Sequence, residues 1–147
     1  MNSVALTDEQ QRIWRSYLAM TSRLQTAMHR QLQRDCGLSL ADYDVLVALS
    51  EHGPLRVGDL AALLSWEQSR LSHQLRRMRG RGLVLRRESD EDRRSATVEL
   101  TAAGHTKLAA AAPGHAALVR ATVFDGIPVA QLRAFGEVAA TVVGRLG

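Results

Sequence analysis

Between Ser69 and Arg87 the chain reads SRLSHQLRRMRGRGLVLRR, with seven arginines and no acidic residue. Guanidinium groups are planar, permanently charged forks of N–H donors, suited to phosphate oxygens and to the acceptor edge of guanine. Ser69 and His73 add a hydroxyl and an imidazole, which also reach base edges by hydrogen bonds. Set at about 100° per residue, Ser69, His73, Arg76 and Arg77 gather on one side of a helix with Trp66 and Gly80, and Arg70 lies at the flank. Leu71, Leu75 and Met78 fall within about 60° of one another on the opposite side. One face is core; the other is cationic and hydrogen-bonding. A helix laid in the major groove of DNA needs that division.

Arginines also serve simply to solvate an exposed helix face. The surroundings favour nucleic acid. The net charge is +4, yet Ser65–Arg87 alone sums to +6, so the remainder of the chain is slightly acidic. A concentrated basic patch attracts phosphate, whereas a dispersed one only aids solubility. Eighteen of the 19 basic residues are Arg, and Lys107 is the one Lys. That bias is of a kind that base composition produces, so the clustering carries the inference and the residue type does not.

The elements that position this helix are legible on both sides. Ser65-Trp66-Glu67-Gln68 has the pattern of a capping box, placing a helix start there and leaving free N–H groups to face a phosphate. Trp66 and Gln68 therefore join the candidate contacts. Arg56–Leu64 reads as a short helix with Val57, Leu60, Ala61 and Leu64 inward. Two helices joined by so tight a turn form a helix-turn-helix. After Gly80 and Gly82, Leu83-Val84-Leu85 and Ala96–Leu100 read as two short strands around the charged tip ESDEDRRS.

Further out, Thr7-Asp8-Glu9-Gln10 is a capping box that opens a long helix. Its stripe is Ile13, Tyr17, Met20, Leu24, Met28 and Leu32, widened by Trp14 and Leu18, and Gly37 suits its end. So apolar a helix beside the N-terminus suggests a partner chain as well as a core of its own. Ser39-Leu40-Ala41-Asp42 opens a second helix, with Leu40, Tyr43, Val45, Leu46, Val47 and Leu49 apolar. It stops at His52-Gly53-Pro54. Thr101 caps an alanine-rich helix expected to kink or break at Pro113-Gly114. Ile127-Pro128 opens a last helix, apolar at Leu132, Phe135, Val138, Ala139, Val142, Val143 and Leu146. The fold class is mostly α with a small β-hairpin, and 147 residues suffice for one domain with a real core.

Other chemistry is thinly represented. Cys36 invites a redox reading, but it sits at the C-terminal, negative end of the first helix, which disfavours a thiolate. His29, His52, His73, His105 and His115 show no zinc-helix spacing with a carboxylate, so no metal is expected. No nucleophile elbow or phosphate loop occurs, and an enzyme or a bound cofactor is not expected. No apolar run approaches 18 residues, no leader pattern begins the chain, and the single cysteine fits a reducing compartment, so a cytoplasmic location is expected.

The segments LRVGDLAALLSWEQSRLSHQLRRMRGRGLVLRR and DRRSATVELTAAG together resemble the winged helix-turn-helix of MarR-type transcription regulators. The most specific part is Asp-x-Arg-x-x-x-Val-x-Leu-Thr, matched by Asp92, Arg94, Val98, Leu100 and Thr101. The flanking helices fit the same layout, so the resemblance covers nearly the whole chain. It implies a homodimer in which residues 7–36 and 102–147 dimerise and residues 38–101 form the DNA-binding part. It implies a pseudo-palindromic operator, and usually a repressor that a small ligand releases. By position, Arg94 would enter the minor groove, Asp92 would orient it, and Arg93 would touch phosphate. Ser69, Arg70 and His73 would face bases, with Arg76 and Arg77 on the backbone. His73 stands where many relatives have Arg, and Trp66 is unusual on a groove-facing side. It could meet a thymine methyl or sugar, or pack against the neighbouring helix. The resemblance also implies a ligand cleft between dimer helices and winged part, for which Trp14, Tyr17, Leu18, Tyr43 and Val47 are candidates. A winged-helix module whose basic face binds an acidic protein is the alternative. The arginine-bearing wing favours DNA, since an adaptor has no need to reach a minor groove.

Overall fold

The structure, a computed structural model, describes residues 5–88 and 96–147. Helix α1 runs Asp8–Cys36, and its capping box is formed as expected, Thr7 accepting from the Gln10 N–H while Gln10 bonds back to the Thr7 N–H. Gly37 ends it in the left-handed conformation, φ 67°, where a side chain would be strained. Helix α2 spans Leu40–His52 behind a second capping box, Ser39 with Asp42.

The Leu55–Arg56 pair forms a short strand, β1, so helix α3 begins one residue later than the sequence suggests, at Val57, and ends at Leu64. The next helix, α4, spans Gln68–Gly80 and corrects a second expectation. Ser65 does not cap it. Instead Ser65 terminates α3 in the left-handed region, φ 58°, the one non-glycine residue among those described with positive φ. The turn closes by bonds from the Ser65 N–H to Ala62 O and from the Trp66 N–H to Ala61 O. These satisfy the last carbonyls of α3, and the serine pattern that reads as a start is therefore used as a stop.

Strands β2, Val84–Arg87, and β3, Thr97–Leu100, complete an antiparallel sheet in the order β1-β3-β2. Val84 lies opposite Leu100 and Arg87 opposite Thr97, while Leu55 pairs with Val98. Thr101 then starts α5, Ala102–Val119, its hydroxyl accepting from the Gly104 N–H and donating to Gly82 O at 2.6 Å. Gly104 is required at this junction: a Cβ there would lie 2.2 Å from the Leu83 carbonyl oxygen.

Pro113 does not break α5, which continues through it to Val119. Gly114 faces α1, where a Cβ would come within 2.6 Å of the Gln31 amide nitrogen. The Pro-Gly pair thus marks a helix crossing. The irregular stretch comes later, as a π-helical turn at Arg120–Phe124. Pro128 caps the last helix, α6, Val129–Leu146.

The core lies under the winged part. Leu32, Leu38, Val45, Leu46, Leu60, Leu71 and Met78 are all fully buried. The long apolar stripes at the two ends are not. Along α1 only Gln31 and Leu32 are buried, and α6 buries nothing. Ile13 is 63% exposed and Val143 68%.

Candidate nucleic-acid interface

Helix α4 is fixed from beneath by Leu71, Gln74, Leu75 and Met78, which are all buried. Ser69, Arg70, His73, Arg76 and Arg77 are consequently exposed on its outer side, together with Gln68 and Ser72. The Gln68 side chain lies over α3, close enough to Gly58 that a Cβ there would sit 2.9 Å from its amide nitrogen. Trp66, expected opposite the core, is half-buried and packs on the core's edge. The Arg70 guanidinium carbon stands 4.2 Å above its ring. That cation–π contact holds a long, flexible side chain over the start of α4. Among the described residues no side chain caps this end of the helix, which leaves its first-turn N–H groups without a side-chain acceptor, as an anion site requires.

A polar network beneath α4 was not legible in the sequence. Asp42 is 4% exposed, and its carboxylate accepts from the Gln74 amide at 2.5 Å and from Arg81 Nη1 at 2.7 Å. Gln74 in turn accepts from Arg77 Nη2 at 2.7 Å, and Arg81 also donates to Gly37 O at 3.1 Å. Burial by itself pushes the Asp42 carboxyl up. The Ser39 N–H, Arg81 and the Ser39 hydroxyl together outweigh that and hold it below its ordinary value. Asp42, the partner of Ser39 in the capping box of α2, thus also ties α2 to α4. The signal was available only as Gln74 at a core-side position of an otherwise cationic helix.

The basic cluster divides in two. Arg81 pairs with Asp42, Arg86 with Glu88 at 3.9 Å, and Arg87 with Glu99 at 2.5 Å. Arg70, Arg76, Arg77 and Arg79 form no ion pair among the described residues. Cations on one exposed helix that are tied to no carboxylate can meet phosphate without first breaking an ion pair. Asp92, Arg93 and Arg94 lie outside the described residues. The strands that lead to them are in place, and Val98, Leu100 and Thr101 of the same motif all sit in or at the end of β3.

The candidate ligand residues separate. Tyr43 and Val47 line an open cavity of about 630 Å³ between α1, α2, α3 and α5. Trp14 lies beyond it, beside Leu6, Gln10 and Ile13, with its ring stacked on Tyr17 at 5.5 Å. Leu18 is exposed on the same part of α1. Within one chain these three do not reach the cavity. His115, which the sequence did not single out as a cavity residue, does; its ring lies 4.5 Å from that of Tyr43. Cys36 is half-buried, and its S–H donates to Leu32 O at 3.2 Å. Among the described residues no group of three or more metal-ligating side chains converges, and no helix is long and apolar enough to cross a membrane.

A helix-turn-helix with a three-stranded sheet behind its second helix, flanked by long terminal helices, defines a winged-helix regulator. Residues 38–96 match the MarR family. The chain resembles Sco3205 of Streptomyces coelicolor, a MarR family transcriptional regulator crystallised with DNA, at 37% identity and a TM-score of 0.91, covering 97% of this chain and 94% of that one. It resembles AbsC of the same organism, also a MarR family transcriptional regulator, at 34% identity and a TM-score of 0.90, covering 98% of each. An HTH-type transcriptional regulator of Bacillus subtilis, YfiV, is 33% identical over 69% of this chain. The chain spans about three fifths of the length of the curated relatives it matches. The protein belongs to the MarR family of transcription regulators, a family of regulators and not of enzymes.

Proposed function

We propose that the protein is a homodimeric repressor that binds a pseudo-palindromic DNA operator and leaves it when a small ligand binds. The observation that carries the reading is the outer face of α4, where Arg70, Arg76 and Arg77, with no ion pair among the described residues, flank Ser69 and His73 over a fully packed inner face. Ser69, Arg70 and His73 reach base edges in the major groove, and Arg76 and Arg77 hold phosphates. Trp66 supports Arg70, and Gln68 sits at the helix start beside the first phosphate. Arg94 enters the minor groove with Asp92 orienting it, and Arg93 meets the backbone. Residues 38–101 act as the DNA-contacting part. Residues 7–36 and 102–147 dimerise through the apolar faces left bare on α1 and α6. The ligand occupies the cavity at Tyr43 and Val47, with Trp14, Tyr17 and Leu18 contributed from the dimer side.

Selection of bound sequences from random DNA tests this reading. A palindromic motif with half-sites about one helical turn apart is expected, as two symmetric recognition helices require. Arg70→Ala or His73→Ala should relax preference at one base step, costing roughly 1–3 kcal/mol. Arg76→Ala should weaken all sequences alike and reduce the salt slope by about one. A featureless selected pool, or equal losses on operator and random DNA for all three variants, would overturn the assignment.

A further inference from the structure

Among the described residues, no arginine lines the cavity between α1, α2, α3 and α5, and Lys107 is absent from it too. Its acidic side chains are two carboxylates, Asp44 and Glu51, and the imidazoles of His52 and His115 also face it. The walls are otherwise largely apolar, with Met28, Leu40, Val47 and Leu63 among them. Resting on the reading of this cavity as the ligand site, we infer that it takes a cationic organic ligand, an ammonium group on an aromatic or alkyl body.

Three observations converge on that charge. Asp44 is half-buried, and among the described residues its carboxylate has neither a hydrogen bond nor an ion pair. Burial raises its affinity for a proton, and the charges of His115 and Arg70 offset this only in part. A desolvated, unpartnered negative charge beside an apolar wall favours an entering cation and repels an anion. Next, the paired rings of Tyr43 and His115, 4.5 Å apart, provide aromatic surface, and a ring face attracts an ammonium group. Finally, Asp42, two residues earlier on the same helix, is fully engaged by Arg81 and Gln74, whereas Asp44 is left open to the cavity. Of the acidic residues at this end of α2, Asp44 is the one free to hold a ligand.

The test is calorimetric titration of the whole protein with two probes of matched shape, 2-naphthylmethylammonium and 2-naphthoate, at pH 7.5. Wild type should bind the ammonium at least about tenfold more tightly, the scale of one desolvated charge contact. Asp44→Asn, nearly isosteric, should remove most of that preference, and Glu51→Gln a smaller part. Leu63→Trp, on an exposed residue at the cavity wall, should weaken both probes by narrowing the space. Naphthoate binding as tightly as the ammonium, with Leu63→Trp still weakening both, would leave the cavity as a ligand site and overturn the charge assignment. Retention of the preference in Asp44→Asn and Glu51→Gln would overturn it equally. Binding of neither probe, or binding indifferent to Leu63→Trp, would overturn the cavity reading and the inference with it.

Discussion

The winged part and the terminal helices are made of the same material, Leu, Val and Ala at helical spacing, and they end in opposite states. Under the wing the apolar side chains close on one another, and Leu46, Leu60, Leu71 and Met78 see no water. Along α6 none is buried, and Phe135, Val138 and Val142 are 44–62% exposed. The difference lies in what crosses between elements. Buried polar bonds and close backbone approaches tie the winged part to itself and to the C-terminal end of α1, while α6 and the N-terminal half of α1 carry exposed apolar side chains. A surface of that kind marks a protein interaction face. One region is finished by its own chain, and the other leaves its apolar face bare.

The sharpest way to break that comparison is at Gly104, where the wing base meets α5. An added methyl would meet a backbone oxygen at 2.2 Å, and backbone cannot rotate away. Gly104→Ala is therefore expected to destabilise by about 3 kcal/mol or more in urea unfolding, at the upper end of overpacking costs. Gly114→Ala is the control, because its nearest neighbours are the flexible ends of Gln31 and Asp35. It should cost about 1 kcal/mol or less. Equal losses at the two glycines would mean that α5 can slide and that the winged part is less rigidly closed than its packing indicates.

Asp42→Ala follows in size. It strips Gln74 and Arg81 of their acceptor and opens the Ser39 capping box. A loss of about 2–3 kcal/mol is expected, the range for charge-assisted bonds, with Arg81 being partly exposed. Loosening of α4 should appear as faster hydrogen exchange along Leu71–Met78. An unchanged exchange pattern would show that apolar packing alone fixes the recognition helix.

On the other side of the comparison, the terminal helices should make stability depend on concentration. Each tenfold dilution should lower the apparent unfolding free energy by about 1.4 kcal/mol, as dissociation coupled to unfolding requires. Val138→Asp with Val142→Asp should place charge in the shared face and remove that dependence. A wild-type melting temperature independent of concentration, with a monomer in sedimentation, would show that the apolar stripes are simply exposed.

The contrast also sorts what the sequence could disclose. Local signals read correctly where one residue type has one local use: Thr7 and Ser39 as caps, Gly37 as a stop, Thr101 at the start of α5. They failed where the same residues serve either of two ends. Ser65 has the letters of a start and the geometry of a stop, because the carbonyls of α3 claimed the Ser65 and Trp66 N–H groups. Pro113-Gly114 reads as a break, but α5 runs through it, with Gly114 set against the Gln31 and Asp35 side chains of α1. The two faces of α4 were visible in the periodicity, since burial of Leu71, Leu75 and Met78 follows from helical spacing. The bond from Gln74 to Asp42, 32 residues apart, has no local trace. Nor could spacing show that Trp14 and Tyr43 lie in different places on one chain.

The smallest predicted effect compares two carboxylates on α2, and it turns on sign. Asp42 is held below its ordinary value by its partners, so its contribution to stability is present above the unfolded-state value near 3.9 and is lost as pH falls through the folded one. Asp44 is displaced the other way, chiefly by burial. Its folded form binds a proton more readily than its unfolded form, so ionising it works against folding. That cost is absent well below about pH 4 and develops as pH rises through the unfolded and then the folded value. Asp44→Asn should therefore raise the melting temperature at pH 7 and lose that advantage below about pH 4, whereas Asp42→Asn should lower it at pH 7 and converge with wild type in acid. Thermal melts of the two variants across pH 3–8, at fixed protein concentration, read both signs together. If Asp44→Asn destabilises at pH 7, its carboxylate is partnered in solution, and the open negative charge that distinguishes the cavity from the network beneath α4 does not exist.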